Sequence, residues 1–342
     1  MKIHFLDSDP RRFTDSENYP FNHGPFSEIS LQFNKCLKEL GYYAEPDDAD
    51  FVGKCDGLDV GFKYKNKQSF LIHVYETINT LPHILLKMSN GQRIFGLSNQ
   101  ITNLWHKYGR TDVKTVYGGC DTNFWYQTKD KLSQYTFLHV NSSNVRSGLD
   151  LTIEAFYKTF ANKDVRLVIK DTNDSKTLID KINYYKEKGA NIEYISKRMR
   201  SYEIRDLYSS SHVCINLLRA TSFGLCLLEA SACNCFCLTG NISPTNEIID
   251  SSFGILVEPS KQIELSQAQA IGSNWGLLNC YPNFSYPEVP KVWDYDVNNY
   301  ADILKKIYEN WANLSKIDTR TPILNNWKWI DQAKKLINYL KI

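Results

Sequence analysis

One segment of this 342-residue chain joins a strand, a glycine turn and a helix. The apolar run 213–218 is followed by a loop with Gly224 and by a second apolar run, 225–232, whose acidic residue is Glu229. A short, nearly continuous apolar run is typical of a strand covered on both faces of a parallel sheet. The order predicts that Gly224 lies at the carboxyl edge of such a sheet. Ligands of open α/β sheets bind at this edge, and a helix start favours phosphate.

Strands and helices alternate along most of the chain. The first series predicts strands at 3–6, 50–52, 70–75, 93–97 and 113–117, with helices at 26–40, after Pro82 and at 99–108. The second predicts strands at 135–140, 165–169, 192–195, 213–217, 235–238 and 254–257, with helices at 150–160, 176–188, 202–209, 225–232, 297–311 and 327–340. Alternation of this kind predicts two tandem Rossmann-like parallel sheets, with a polar boundary near 125–131.

Residues 259–292 lack the periodicity of the strands and helices around them. It is broken by Trp275, Tyr281-Pro282, Tyr286-Pro287 and Pro290. We expect an inserted loop with little regular structure. A loop of this length is uncommon unless it has a function. Two interpretations are open: a lid or acceptor-contacting arm, and a packed surface excursion.

Composition limits the class of protein. A net charge of +2, from 40 basic and 38 acidic residues, gives no electrostatic footprint for nucleic acid or an anionic membrane. No apolar run approaches the roughly 20 residues that cross a bilayer, and no signal-peptide core is visible, so a cytoplasmic protein is expected. The nine cysteines, including Cys233, Cys235 and Cys237, are expected to be reduced and structural. Abundant Asn, Lys, Ile and Tyr point to an AT-rich genome such as that of a virus.

Six segments together carry a family pattern. They are 117–124, 146–156, 165–170, 207–213, 223–230 and 326–329. Their sequences and order resemble the nucleotide-sugar glycosyltransferases of family 4, also called glycosyl transferases group 1, over most of the chain. Tyr75-Glu76-Thr77, ahead of Leu81-Pro82, is similar to one subgroup of that family.

The resemblance implies the α/β fold named GT-B, in which two Rossmann-like domains face each other across a cleft. It divides the chain into an N-terminal acceptor domain (1–127), a nucleotide-sugar donor domain (128–322) and a C-terminal helix (323–342) that returns to the first domain. It also implies retention of anomeric configuration by front-side attack, in which the leaving phosphate helps to deprotonate the acceptor.

The donor site is predicted around the glycine turn. Glu229 lies one to two helical turns later, where a carboxylate can accept hydrogen bonds from ribose hydroxyls, and its apolar neighbours favour this over an exposed helix position. Backbone N–H groups of the turn are expected to meet the distal phosphate or the sugar, unless Gly224 only makes the turn. The donor-binding loop comprises Thr221, Ser222, Phe223, Gly224 and Leu225.

Positive charge is needed to stabilise a departing nucleoside diphosphate. Arg146, Lys170 and Arg219 follow predicted strands and lie on the ligand-binding edge, so they are the candidate donor-binding cations, with solvated surface residues as the alternative. Arg146 and Lys170 are also counted as catalytic.

The chain departs from the family at three places. Thr221 replaces the glutamate that precedes Glu229 by eight residues, Ser147 replaces a lysine, and an arginine expected after the first donor-domain strand is absent. The alternative function is therefore a catalytically weak or inactive nucleotide-sugar binding module.

The acceptor side is predicted on the first sheet. His73 and Glu76 follow a strand that faces the cleft, and both are candidate catalytic residues, His73 as a proton shuttle or only a polar anchor. His23, Gly24 and Ser27 lie in the first strand–helix loop and are acceptor-side candidates.

The predicted activity is transfer of a sugar to an acceptor hydroxyl. The donor is a UDP-, GDP- or ADP-sugar, no cofactor is required, and the acceptor is a glycan, a lipid, a protein or a modified nucleotide. No metal is expected, because Asp7-Ser8-Asp9 and Asp294-Tyr295-Asp296 are interpreted as structural although each mimics a metal-binding triplet. A nicotinamide oxidoreductase is disfavoured, since neither first βα turn has the Gly-x-Gly-x-x-Gly fingerprint. The oligomeric state is not readable.

Overall fold

The computed structural model describes residues 1–7, 25–57, 59–141, 145–171, 176–271 and 284–342. Within them, two parallel sheets with flanking helices form the α/β architecture that the alternation predicts.

The first sheet has five parallel strands whose spatial order follows the chain. They are β1 (Ile3–Phe5), β2 (Phe51–Asp56), β3 (Gln68–His73), β4 (Arg93–Gly96) and β5 (Lys114–Thr115). Its helices are α1 (Pro25–Glu39), α2 (His83–Met88) and α3 (Asn99–Lys107). In α1, Ile29, Phe33 and Leu37 recur at every fourth position and are buried, which is the apolar stripe that holds a helix on a sheet.

The second sheet has six parallel strands in the order β11-β10-β9-β6-β7-β8. They are β6 (Tyr135–Val140), β7 (Val165–Lys170), β8 (Ile192–Ile195), β9 (Val213–Asn216), β10 (Phe236–Gly240) and β11 (Gly254–Val257). The helices along them are α4 (Leu149–Phe160), α5 (Lys176–Glu187), α6 (Ser201–Ser210), α7 (Leu225–Ala232) and α8 (Thr245–Ile248). The chain runs outward from β6 to β8 and then crosses back to β9, so the strand order reverses between β6 and β9. Such a switch point opens a crevice at the carboxyl ends of the strands.

The expectation of little regular structure at 259–292 is wrong for the part that the structure describes. Strands β12 (Lys261–Glu264) and β13 (Lys291–Asp294) pair antiparallel, and α9 (Leu265–Ile271) follows β12. Ile263 pairs with Val292, and both are buried, so a cross-strand apolar contact stabilises the ribbon. Trp275 and Tyr281-Pro282 lie outside the described residues.

Residues 284–291, the last part of this insertion, contact the loop after β3. Lys291 carbonyl accepts from Ile78 N at 3.1 Å, and Ser285 carbonyl accepts from His83 N at 2.9 Å. The Asn79 amide adds bonds to Val289 carbonyl at 2.9 Å and to Lys291 N at 2.8 Å. This segment therefore bridges the two sheets, as an arm would.

The last helices are α10 (Val297–Glu309), α11 (Trp311–Leu314), α12 (Arg320–Asn326) and α13 (Trp329–Leu340). Helix α13 packs on the first sheet and on α1, where the rings of Trp329 and Phe33 meet edge to face at 5.6 Å. Trp327 carbonyl accepts from Cys120 N at 2.7 Å. Helix α12 contacts α7 of the second sheet, so the end of the chain ties the second sheet to the first.

No helix in the described ranges combines the length and apolar character needed to span a membrane. Cys233, Cys235 and Cys237 are buried free thiols. Among the described residues no group of three or more His, Cys, Asp or Glu side chains is placed to hold a metal. Asp294 binds an arginine and Asp296 accepts from Asn299 N at the start of α10.

Candidate active site

The loops after β6 and β9 flank the switch point of the second sheet and contact each other. The N–H of Arg219, after β9, donates to the carbonyl of Arg146, after β6, at 2.9 Å. Most of the predicted donor residues lie in these two loops and at the start of α7. These residues therefore lie at the carboxyl edge of the sheet beside the switch point, which is where ligands of open α/β sheets bind.

The turns that lead into α4 and α7 at this edge each contain a glycine with positive φ. Gly148 precedes α4 with φ 68°, and a Cβ there would lie 2.1 Å from the carbonyl oxygen of Leu217. Gly224 precedes α7 with φ 111°, a backbone conformation that disfavours residues with a side chain. Helix α7 consequently begins directly after the turn. Its first N–H groups lie there, where an anion can accept hydrogen bonds from them.

Glu229 lies on α7 and is partly buried. Tyr208, itself fully buried on α6, points its hydroxyl at Glu229 Oε2 over 3.4 Å. Burial raises the pKa of Glu229 to about 8, the negative charge of Glu28 raises it further, and the Tyr208 hydrogen bond opposes both. A carboxyl group with this pKa is mostly protonated at neutral pH.

Arg146 and Glu76 form an ion pair between the two sheets. Arg146 lies in a 3-10 turn (Val145–Ser147) after β6, and Glu76 follows β3. Arg146 Nη1 donates to Glu76 Oε1 at 2.5 Å. Burial raises the pKa of Glu76, and the Arg146 charge opposes that shift. Two predicted site residues from opposite sheets are thus in direct contact.

Lys170 ends β7 and is buried. Its ammonium group donates to Asp171 carbonyl at 3.2 Å and, within the described residues, makes no ion pair. Loss of hydration lowers the pKa of Lys170, while the charges of Asp171 and Glu203 raise it. A buried ammonium group without a carboxylate partner is suited to an anionic ligand.

Arg219 is placed differently from its prediction. Its side chain is 1% exposed, and two carboxylates hold it. Asp150 accepts from Nη1 and Nη2 at 2.7 and 2.9 Å, and Asp294 accepts from Nε at 2.9 Å. Because its charge is already balanced, we assign Arg219 to the support of the loop rather than to phosphate binding.

The rest of the donor-binding loop is partly or fully buried. Thr221 is 8% exposed, and Ser222, Gly224 and Leu225 are partly exposed. Phe223 is buried, with its ring 6.2 Å from that of Tyr117 and 5.8 Å from that of Trp327, so its side chain belongs to the joint between the sheets.

His73 is fully buried behind the first sheet's edge. Its Nε2 bonds Gly57 carbonyl at 3.1 Å, and its Nδ1 accepts from Trp105 Nε1 at 3.1 Å. The accepting Nδ1 fixes the neutral Nε2–H form, and burial lowers the pKa of His73 to about 4. Both nitrogens are occupied, so we assign His73 a structural role instead of the predicted proton shuttle.

The acceptor-side predictions fall largely elsewhere. His23 and Gly24 lie outside the described residues. Ser27 is buried in the first turn of α1, and its hydroxyl donates to Asp7 Oδ1 at 2.6 Å, so it supports the fold there.

Tyr208 and Glu28 are the neighbours of Glu229 that the sequence did not reveal. Tyr208 belongs to a segment with a recognisable pattern, but no pattern links a tyrosine on α6 to an acid on α7. Glu28 belongs to α1, so its effect on Glu229 depends on how the two halves of the molecule pack.

Part of the chain matches a known protein family. Residues 121–270, which include all six strands of the second sheet, match the family model described as glycosyl transferases group 1. This stretch of the chain is therefore similar to glycosyl transferases group 1, and the two-sheet architecture is that of the GT-B fold.

Solved structures share that fold. TarM is 14% identical with a TM-score of 0.63, covering 92% of this chain and 59% of TarM. AviGT4, a glycosyltransferase involved in avilamycin A biosynthesis, is 14% identical with a TM-score of 0.64, covering 99% of this chain and 97% of AviGT4. Anabaena HepE in complex with UDP-glucose is 12% identical with a TM-score of 0.60, covering 91% of this chain and 82% of HepE. No curated protein matches at the level of sequence.

Proposed function

We propose that this protein transfers a sugar from a nucleotide-sugar donor to an acceptor hydroxyl, with retention of configuration and without a metal ion. One observation carries the proposal: the switch point of the second sheet is flanked by the Arg146 turn and by the Gly224 turn, which leads to Glu229. A crevice with a cation, the start of a helix and a carboxyl group suits a diphosphate joined to a diol.

In the proposed donor complex, the ribose hydroxyls donate to the Glu229 carboxylate, and the diphosphate lies between Arg146, Lys170 and the start of α7. The donor is a UDP-, GDP- or ADP-sugar. HepE, which shares the fold, was solved with UDP-glucose, so a UDP-sugar is the first probe.

In the proposed reaction, the acceptor oxygen bonds the anomeric carbon on the face from which the diphosphate departs. The bond from that carbon to the phosphate oxygen breaks, and the leaving phosphate takes the acceptor proton. Arg146 and Lys170 stabilise the charge that develops on the phosphate. This sequence of steps requires no protein nucleophile, and it does not use His73.

For the acceptor we propose the groove between α3 and the loop after β3 on one side and strand β13 on the other. Its volume is about 380 Å³, and Asn79, Gln100, Asn103, Lys107 and Trp293 contribute to its lining. Amides and an indole ring suit a hydroxyl-rich ligand, and Glu288 balances the Lys107 charge. Among a glycan, a lipid, a protein and a modified nucleotide, a glycan fits this lining best.

The test is incubation with UDP-glucose, UDP-N-acetylglucosamine, GDP-mannose and ADP-glucose, with and without EDTA. Slow release of the nucleoside diphosphate, unchanged by EDTA, supports the proposed enzyme, and NMR of the released sugar reports retention. Tight binding without turnover of any donor instead supports the alternative motivated by Ser147 and Thr221, an inactive nucleotide-sugar binding module.

A further inference from the structure

We propose that Glu76 binds a hydroxyl of the donor's sugar, so that the first sheet supplies the carboxylate that reads the transferred group. This inference rests on the proposed function, and it names the residue that selects the sugar. It is carried by the contacts of the Glu76–Arg146 pair.

The pair is only half satisfied. Glu76 is 7% exposed, and its Oε1 accepts from Arg146 Nη1. Among the described residues, its other oxygen, Oε2, is buried and accepts no hydrogen bond, and Arg146 Nε is buried and donates none. A carboxylate oxygen and a guanidinium N–H that are both buried without partners are unfavourable, and such atoms are rare in folded proteins.

These two atoms define the ligand that completes the site. Glu76 Oε2 needs a hydrogen-bond donor, and Arg146 Nε needs an acceptor. A hydroxyl supplies the first and a phosphate oxygen the second, and a sugar diphosphate carries both groups close together. A free cation does not fit as well, because Arg146 already balances the Glu76 charge.

The donor-binding loop does not supply this carboxylate. The donor-binding loop, residues 221–225, contains no carboxylate, and Glu229 sits on the helix beyond the loop. The Arg146 contact places Glu76 beside a proposed diphosphate ligand, which is where the attached sugar begins.

Glu76 is also held firmly. Tyr75 and Thr77 on either side are fully buried, and the Thr77 hydroxyl donates to Thr80 carbonyl at 2.6 Å. A carboxylate fixed in this way loses little conformational freedom when it binds, which is what discrimination between sugars requires.

The experiment measures what the sugar adds to binding. Titration calorimetry on the full chain compares UDP with UDP-glucose, GDP with GDP-mannose and ADP with ADP-glucose. For the nucleotide that binds, we expect the sugar nucleotide to bind about tenfold more tightly than the diphosphate, as for a hydrogen bond to a charged group. In Glu76→Gln this ratio falls to about one, while the affinity for the diphosphate does not fall.

Two further variants make the result specific. Glu76→Asp keeps the charge beside Arg146 but shortens the side chain, so the ratio falls there too, and circular dichroism confirms folding. Glu193→Gln is the matched control, because Glu193 also pairs with an arginine, Arg166, yet is exposed. It leaves the ratio unchanged.

Two outcomes in Glu76→Gln overturn the inference. An equal loss of affinity for diphosphate and sugar nucleotide marks a purely structural tie, and two unchanged affinities mark an oxygen that is only hydrated. If the unmodified chain binds none of the six compounds, the proposed function itself fails, and the inference falls with it.

Discussion

The two arginines beside the switch point carry the same charge but differ in how it is satisfied. Arg219, after β9, is held by Asp150 and Asp294 through three hydrogen bonds. Arg146, after β6, has one carboxylate contact and, within the described residues, a buried Nε without a partner. A guanidinium whose charge is balanced by two carboxylates holds loops together, whereas one with a buried N–H that lacks a partner is available to a ligand. Position at a strand end thus does not distinguish support from binding.

The largest effect expected is on stability. Arg219→Ala leaves two carboxylates without their shared partner, and breaking a buried ion pair on one side costs about 3–5 kcal/mol. Urea unfolding followed by circular dichroism measures the loss. Arg166→Ala is the control, since Arg166 pairs with Glu193 on an exposed part of the same sheet and is expected to cost at most about 1 kcal/mol. A loss in Arg219→Ala no larger than the control contradicts its supporting role.

Arg146→Ala is expected to reduce activity more than stability, unlike Arg219→Ala. We expect turnover of the donor to fall about 100-fold, as on removal of one group that stabilises developing charge. Its cost in unfolding free energy is smaller than that of Arg219→Ala, because the Glu76 left behind can take up a proton. Donor hydrolysis and urea unfolding, measured on both variants, check this. Unchanged turnover in Arg146→Ala would show that Arg146 does not stabilise the leaving diphosphate.

Glu229→Gln tests the ribose contact. At pH 8.5 we expect nucleoside diphosphate affinity to fall about 10- to 100-fold, because a carboxylate accepts stronger hydrogen bonds than an amide. The preference for UDP over 2′-deoxy-UDP, measured by calorimetry, should disappear with it. Glu154→Gln, on the partly exposed α4 surface, is the control. A preference that survives in Glu229→Gln places the ribose elsewhere.

A smaller effect is expected from pH alone. Because the Glu229 pKa is about 8, the group is mainly neutral below that pH. Ribose hydroxyls favour the carboxylate, so binding releases a proton. Affinity therefore rises by at most about tenfold per unit as pH increases from 6 toward 8, and levels off above it. Calorimetry in buffers of different ionisation enthalpy counts the released proton, and affinity that falls over this range refutes the assignment.

Much of the fold could be predicted because it depends on local patterns. The strands at 135–140, 192–195 and 254–257 and the helix at 225–232 have the predicted bounds. The ribbon of β12 and β13 could not be predicted, since its strands are far apart in the chain and their pairing depends on the contact of Ile263 with Val292.

In the candidate site, too, some residues could be placed from local sequence patterns and others could not. The glycine turn and Glu229 form a continuous local pattern, so their place at the sheet edge follows from the sequence. Whether His73 faces the cleft depends on Gly57 and Trp105, and whether Arg219 is free depends on Asp150 and Asp294. Those partners come from other elements, and only tertiary packing brings them together.

The most direct test of the account is a crystal structure with bound nucleotide, from soaks with UDP, GDP and ADP. The account predicts a diphosphate within hydrogen-bond distance of Arg146, ribose hydroxyls on Glu229, and Arg219 still held by Asp150 and Asp294. A nucleotide bound away from the switch point, or a diphosphate held by Arg219, would contradict it.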